Sequence, residues 1–239
     1  MKKYEFTGET KKVGLFGIIT VKRIKATETF GIVKIGDLGG WIEKEGNLSC
    51  ENDAWVYDDA EVYGDAKVYG NAQVRGDAKV YGNAEVYGDA WVCGNAEVCG
   101  NAEVYGDAKV YGNAKVYGNA DVYGNADVYD DAEVCGNAEV CGNAEVCGNA
   151  EILQARHLLV IGPAGSRNSF TTFFRNKDNG ITAKCGCFLG RINKFIEKVQ
   201  ETHGENRYAL VYQAAVEVAK IHIDLSGQEA AGTEGSEEH

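Results

Sequence analysis

The chain has 239 residues, 44% of them hydrophobic, with one proline and a formal net charge of −12; this is enough apolar material for a sizeable core, with no apolar run long enough to cross a bilayer. With no leader-like segment at its start, the protein is expected in the cytoplasm and unattached to membrane. The charge is divided: residues 53–152 hold 19 acids and 5 bases, and residues 153–224 hold 6 acids and 10 bases, which excludes direct nucleic-acid binding on the first stretch and leaves room for an anionic ligand on the second.

Residues 1–46 follow no fixed period. Residues 29–35 predict a strand, and Gly36-Asp37-Leu38-Gly39-Gly40-Trp41-Ile42-Glu43 a turn leading onward. The open end of a stacked coil exposes unpaired backbone, so this segment is read as a cap, with Trp41 and Ile42 closing the apolar axis. Asn47, Leu48 and Cys50 already keep the phase of the repeat that follows.

Residues 53–152 run through seventeen hexads written on the phrase Asn/Asp-Ala-x-Val-Tyr/Cys-Gly. No helix has a period of six. Ala and Val are separated by one residue, and alternate side chains on a strand share a face, so both point inward while x and the Tyr or Cys point outward. The Gly and the Asn or Asp after it supply the corner. So short a strand cannot bury its face alone, and the hexads must stack, three to an 18-residue triangular coil, five to six coils in all, roughly 27 Å long at about 4.8 Å per strand. Small Ala and branched Val suit a filled interior.

Residues eighteen apart then lie above one another. One outward column alternates in sign (Glu61, Lys79, Glu97, Lys115, Glu133, Glu151), and a second is acidic after its first member (Lys67, Glu85, Glu103, Asp121, Glu139). The third holds Trp55, Gln73, Trp91, Lys109, Asp127 and Glu145. Beside the acidic column, Tyr69, Tyr87, Tyr105 and Tyr123 follow one another before Cys141. These tyrosines with Glu85, Glu103, Asp121 and Glu139 are the candidate partner-binding face, since exposed Tyr is enriched at interfaces. No two of Cys93, Cys99, Cys135, Cys141 and Cys147 differ by eighteen, so free thiols in a reduced compartment are expected.

In its Val-x-Gly-Asn/Asp-Ala-x phrasing, over about a hundred residues, the chain resembles the hexapeptide-repeat family of left-handed parallel β-helix proteins. The resemblance implies the left hand of the coil. It also implies acyl transfer, in which a coil histidine acts as base, acyl-CoA lies along the coils and trimers are common. The four histidines here, His157, His203, His222 and His239, all lie outside the repeats, which weighs against that activity. The Gly-Asp-Leu-Gly-Gly-Trp-Ile-Glu opening is similar to that of β-helix proteins of unassigned role among bacterial and phage-associated sequences, and it implies no chemistry.

After Ile152 the pattern changes. Residues 157–161 predict a strand, 162–168 a turn-rich loop, 169–175 and 181–188 two further strands, and 191–202 a helix ending before Gly204. A second helix, from about 206 to 222, is expected to turn Leu210, Ala214, Val218 and Ile221 inward. The region 153–224 is thus a small α+β domain of βββαα order, and 225–239 an acidic tail. Within the loop, two glycines bare backbone N–H groups and Ser166, Arg167 and Asn168 offer polar contacts, with Arg175 extending a basic face, which makes these four the candidate ligand-binding residues. The loop lacks the lysine and the spacing of a P-loop, and a plain turn is its alternative. Cys185 and Cys187 share a strand face and His203 is placed near them, but a fourth metal ligand is wanting, and no metal or cofactor is expected.

The reading that follows is an all-β solenoid with an α+β domain, acting as a phage-type, non-catalytic interaction protein. Its acidic rod would bind a host protein, an enzyme that handles nucleic acid in host defence, and inhibit it; a dimer or trimer is expected. The alternatives are a hexapeptide-type acyltransferase and a binder of a small phosphorylated ligand or nucleotide through the C-terminal domain.

Overall fold

A computed structural model describes residues 2–226, so most of the tail expected at 225–239 lies outside the described residues. Most hexads form a two-residue rung and a corner, with longer strands at Glu133–Asn137 and Glu151–Gln154, and the rungs make three parallel faces. One runs from Trp55–Val56 through Trp91–Val92 to Glu145–Val146, and the second from Lys67–Val68 to Glu139–Val140. The third runs from Glu61–Val62 to Glu151–Gln154. Register follows the period, with Val80 against Val98 and Val98 against Val116. The repeat valines and the alanines from Ala72 onward show no exposure at all. Three valines per coil, each contributing roughly 1.5–3 kcal/mol on burial, stabilise rungs that are too short to fold alone. Between coils, alternate N–H groups donate to the next turn: Trp91 to Ala108 O at 2.9 Å, Cys93 to Val110 O at 2.9 Å and Asn95 to Gly112 O at 2.8 Å. Corner asparagines form a second ladder, Asn83 donating to Asn101 and Asn101 to Asn119 at 2.9 and 3.0 Å.

The N-terminal end departs from expectation. Residues 29–35 form no strand but a bent loop with a single bridge between Phe30 and Val33. The cap is instead a hairpin of Tyr4–Val13 and Ile19–Ala26, followed by Leu38–Ile42, which joins the third face beside Glu61–Val62. Ile42 pairs with Val62 and Leu48 with Val68, twenty residues apart instead of eighteen. Leu48 therefore stands at a Val site, not an Ala site. Two extra residues are taken up before Ala54, where Asn52 turns at φ 56°, and Cys50 is left exposed.

Ile42 and Ile24 close the axis, whereas Trp41 lies on the outer surface beneath the hairpin, packed with Val13, Val21 and Tyr63. Trp55, expected outward, is 1% exposed because Tyr4 and Phe30 enclose it, at ring distances of 6.3 and 5.3 Å. Gly39 and Gly40 have a steric reason to be glycine. A β-carbon on Gly39 would lie 2.6 Å from the Ile24 side chain, and one on Gly40 2.6 Å from Ala60 O. Lys3 is buried, and its ammonium donates to Asn52 O and Ala54 O at 2.9 and 2.8 Å.

At the other end an antiparallel sheet of Leu158–Ala164, Ser169–Arg175, Ile181–Cys185 and Phe188–Arg191 covers the last coil, and Phe174 enters the prism core. The order is ββββαα, not βββαα, because the chain reverses at Gly186 and splits the expected third strand. Helices α1 (Ile192–His203) and α2 (Arg207–His222) pack on this sheet. The face that α2 buries is the opposite of the expected one: Ala209, Tyr212, Ala215, Val216 and Ala219 are inside, while Leu210, Ala214, Val218 and Ile221 are exposed. Small alanines bring the helix close to its neighbours, and Tyr212 fills the space that remains. Among the described residues no helix is long and apolar enough to cross a membrane.

Candidate functional site

Two places gather the residues singled out in the sequence. The first is the edge of the second face. Tyr69, Tyr87, Tyr105 and Tyr123 stack in parallel at 4.8, 4.9 and 5.0 Å with planes within 4°. Each two-residue rung sets its Tyr just beyond the Val, so the hydroxyl reaches the outward carboxylate one coil on. Tyr69 donates to Glu85 at 2.8 Å, Tyr87 to Glu103 at 2.7 Å and Tyr123 to Glu139 at 3.2 Å. Glu85 also pairs with Lys67 at 2.8 Å. Those bonds from Lys67 and Tyr69 hold the Glu85 carboxyl below its usual range, whereas burial and then Glu103 and Glu139 on either side push Asp121 up. The edge is thus a fixed anionic ladder neutralised only at its first rung.

The tyrosines give the fold an alkaline limit. Burial, reinforced by adjacent carboxylates, pushes Tyr63 and Tyr111 up to about 12, and burial with the Glu bonds raises Tyr69 and Tyr87 as well. A phenol raised in the folded state contributes stability that is complete below its unfolded value near pH 10 and is lost as pH climbs towards 12. In an alkaline titration phenolate absorbance and loss of the β signal are expected to rise together above pH 10; smooth tyrosine ionisation near pH 10 in a chain still folded would contradict the buried stacks.

The second place is a cavity of about 410 Å³ in the C-terminal domain. It brings Ser166 and Arg167 from the loop together with Cys185 and Cys187 from the hairpin turn and His203 from the end of α1. Asn168 does not line it, but closes the turn by donating its N–H to Gly165 O at 3.4 Å with φ 51°. Arg175 is elsewhere as well: it is 8% exposed and bound to Glu151 at 2.6 Å, so it ties the domain to the last coil and adds nothing to a basic face. Sequence reading missed Lys198, Thr202 and Tyr212, which also line it. The i, i+4 spacing of Lys198 and Thr202 beside inward Phe195 and Val199 was a visible signal. Tyr212 accepts from the Cys185 thiol, and burial with that thiol pushes its phenol up to about 12.

The histidines serve other purposes. His157 is buried at the end of the last coil, accepting from the Leu153 N–H at 3.2 Å, and burial, then Arg175, holds its imidazole below the usual range. His203 stacks on Tyr212 at 5.8 Å, and His222 reaches Leu158 O at 3.1 Å; His239 lies outside the described residues. All eight cysteines are free, and burial pushes up the thiols of Cys93, Cys99, Cys135 and Cys147. No curated protein matches the chain. Residues 78–94, a single stretch of the prism wall, match the YdcK β-solenoid repeat family.

Proposed function

We propose that this chain is a non-catalytic interaction protein whose working surface is the acidic, tyrosine-lined edge of the solenoid. It binds a cationic host protein that handles nucleic acid, and inhibits it by presenting carboxylates where that protein takes phosphates. The observation that carries the reading is the fixing of Glu85, Glu103 and Glu139 by the tyrosine hydroxyls of the preceding coil. A ladder already ordered loses little side-chain freedom on binding, so its charge is available for recognition and for steering. Acyl transfer gains no support here, since among the described residues no histidine stands on a coil face.

The test is affinity capture from the native host with wild-type protein and with the variant Glu85→Gln, Glu103→Gln, Asp121→Asn, Glu139→Gln. The expected result is a nucleic-acid-binding protein held by the wild type and weakened at least tenfold in the variant, with binding that falls as salt is raised. Equal capture by both, or a captured protein with no nucleic-acid chemistry, overturns the proposal.

A further inference from the structure

The cavity in the C-terminal domain differs from the rest of the surface in its chemistry. Among the described residues no aspartate or glutamate lines this space. Arg167 lies over the Gly186 turn, where a β-carbon would stand 3.6 Å from Nη1, and among the described residues its guanidinium has no hydrogen-bond or ion-pair partner. Lys198 contributes a second cation, engaged only in an exposed pair with Glu201, a weak contact in water. Hydroxyls of Ser169 and Thr202 stand on the same lining. Part of the remaining wall is aromatic. His203 stacks on Tyr212 at 25°, and Phe188 lies 5.3 Å from Phe195. Nor is the wall loose: a β-carbon on Gly165 would overlap the Tyr212 ring, and the Cys185 thiol donates to the phenol.

We infer that this cavity binds a small organic phosphate whose other end is a flat ring, a nucleoside monophosphate being the type. Arg167 and Lys198 take the phosphate, Ser169 and Thr202 complete its hydrogen bonds, and the ring lies against Phe188 or the His203–Tyr212 pair. Charge-assisted bonds from a planar guanidinium suit a phosphate, and aromatic faces suit a base. The volume is near the lower end of the range for small-ligand pockets, which favours one phosphate over a polyphosphate chain. A larger cleft of about 660 Å³ beside the cap, lined by Lys2, Glu45, Glu51 and Lys67, is a poorer candidate. Its lysines share the lining with the carboxylates of Glu45 and Glu51, which oppose an anion there.

This inference is independent of the acidic edge, and the carboxylate variant above should bind the nucleotide unchanged. The experiment is calorimetry and thermal shift on the full chain with AMP, GMP, CMP and UMP, alongside inorganic phosphate, ribose 5-phosphate and adenosine. At least one nucleotide is expected to bind saturably and at least tenfold tighter than phosphate, ribose 5-phosphate or adenosine. Arg167→Gln is expected to weaken it at least tenfold, as loss of charge-assisted bonds to phosphate does. Lys198→Gln should weaken it less, and Arg191→Gln, on an exposed pair with Asp178, not at all. Peptide-resolved alkylation gives a second readout, with Cys187 protected by the nucleotide and exposed Cys50 unaffected. Absence of saturable binding by every nucleotide, equal binding by inorganic phosphate, or an unchanged affinity in Arg167→Gln would each overturn it.

Discussion

Gly100→Val should lower stability by about 3 kcal/mol or more, while Gly100→Asp should change it by less than about 1 kcal/mol. Gly100 turns a corner at φ 73°, where a β-carbon would stand 2.9 Å from both N and O of Gly118 on the next coil. A left-handed conformation costs an ordinary residue about 1–2 kcal/mol, and a β-branched one more. The contact is with backbone and cannot be relieved by a rotamer change, so one coil must move against its neighbour. Aspartate meets the same space but is already used at the same hexad position on another edge of the prism. There Asp58 and Asp130 turn the corner at φ 52° and 59°, and their carboxylates accept from the N–H of Gly76 and Gly148 at 3.1 and 3.3 Å. For a chain of this size about 3 kcal/mol is a fall in Tm of roughly 6–12 °C. Thermal unfolding of the two variants followed by circular dichroism decides it, and equal Tm values would mean that corner packing is not what selects glycine.

The second large effect concerns register. Removing residues 97–114, eighteen in all, joins Ala96 to Lys115 and leaves the phrase, every face and both ends intact. That shortened protein is expected to fold with the same spectrum and only slightly lower stability. Removing Val98 alone should cost about 5 kcal/mol or more. It deletes one buried valine, worth roughly 1.5–3 kcal/mol. It also leaves one side of a triangle short between neighbours of full length, so that hydrogen bonds to both adjacent coils go unmade at about 1–3 kcal/mol for each buried group. Limited proteolysis separates the outcomes: the eighteen-residue deletion resists as the parent does, and the single deletion is cut. Equal resistance would mean that stacking in register is not the source of stability.

The period made the prism legible, because Ala and Val two apart leave a strand no other way to hide both. It also placed the tyrosine and carboxylate columns correctly. Where the repeat stops, legibility fell. The hairpin of Tyr4–Val13 and Ile19–Ala26 alternates only loosely, and the twenty-residue first turn at Leu48 and Val68 depends on a loop that no period describes. On α2 the large apolar residues drew the eye to Leu210, Val218 and Ile221, yet close packing chose alanines. The cavity was half visible: Ser166, Arg167, Cys185 and His203 stood out, but only the crossing of the loop, the turn and α1 shows that they meet, and that Arg175 is spent on Glu151.

A column of near-identical rungs in parallel register is the geometry from which cross-β fibrils are made. Here the outermost strand, Tyr4–Val13, runs antiparallel to its neighbour, breaks register between Phe6 and Thr10, and shows Glu5, Glu9 and Lys12 to solvent. Such a strand is a poor template for an incoming copy. With Phe174 packed in the core at the opposite end, the stack is covered at both ends, which works against addition of further copies end to end.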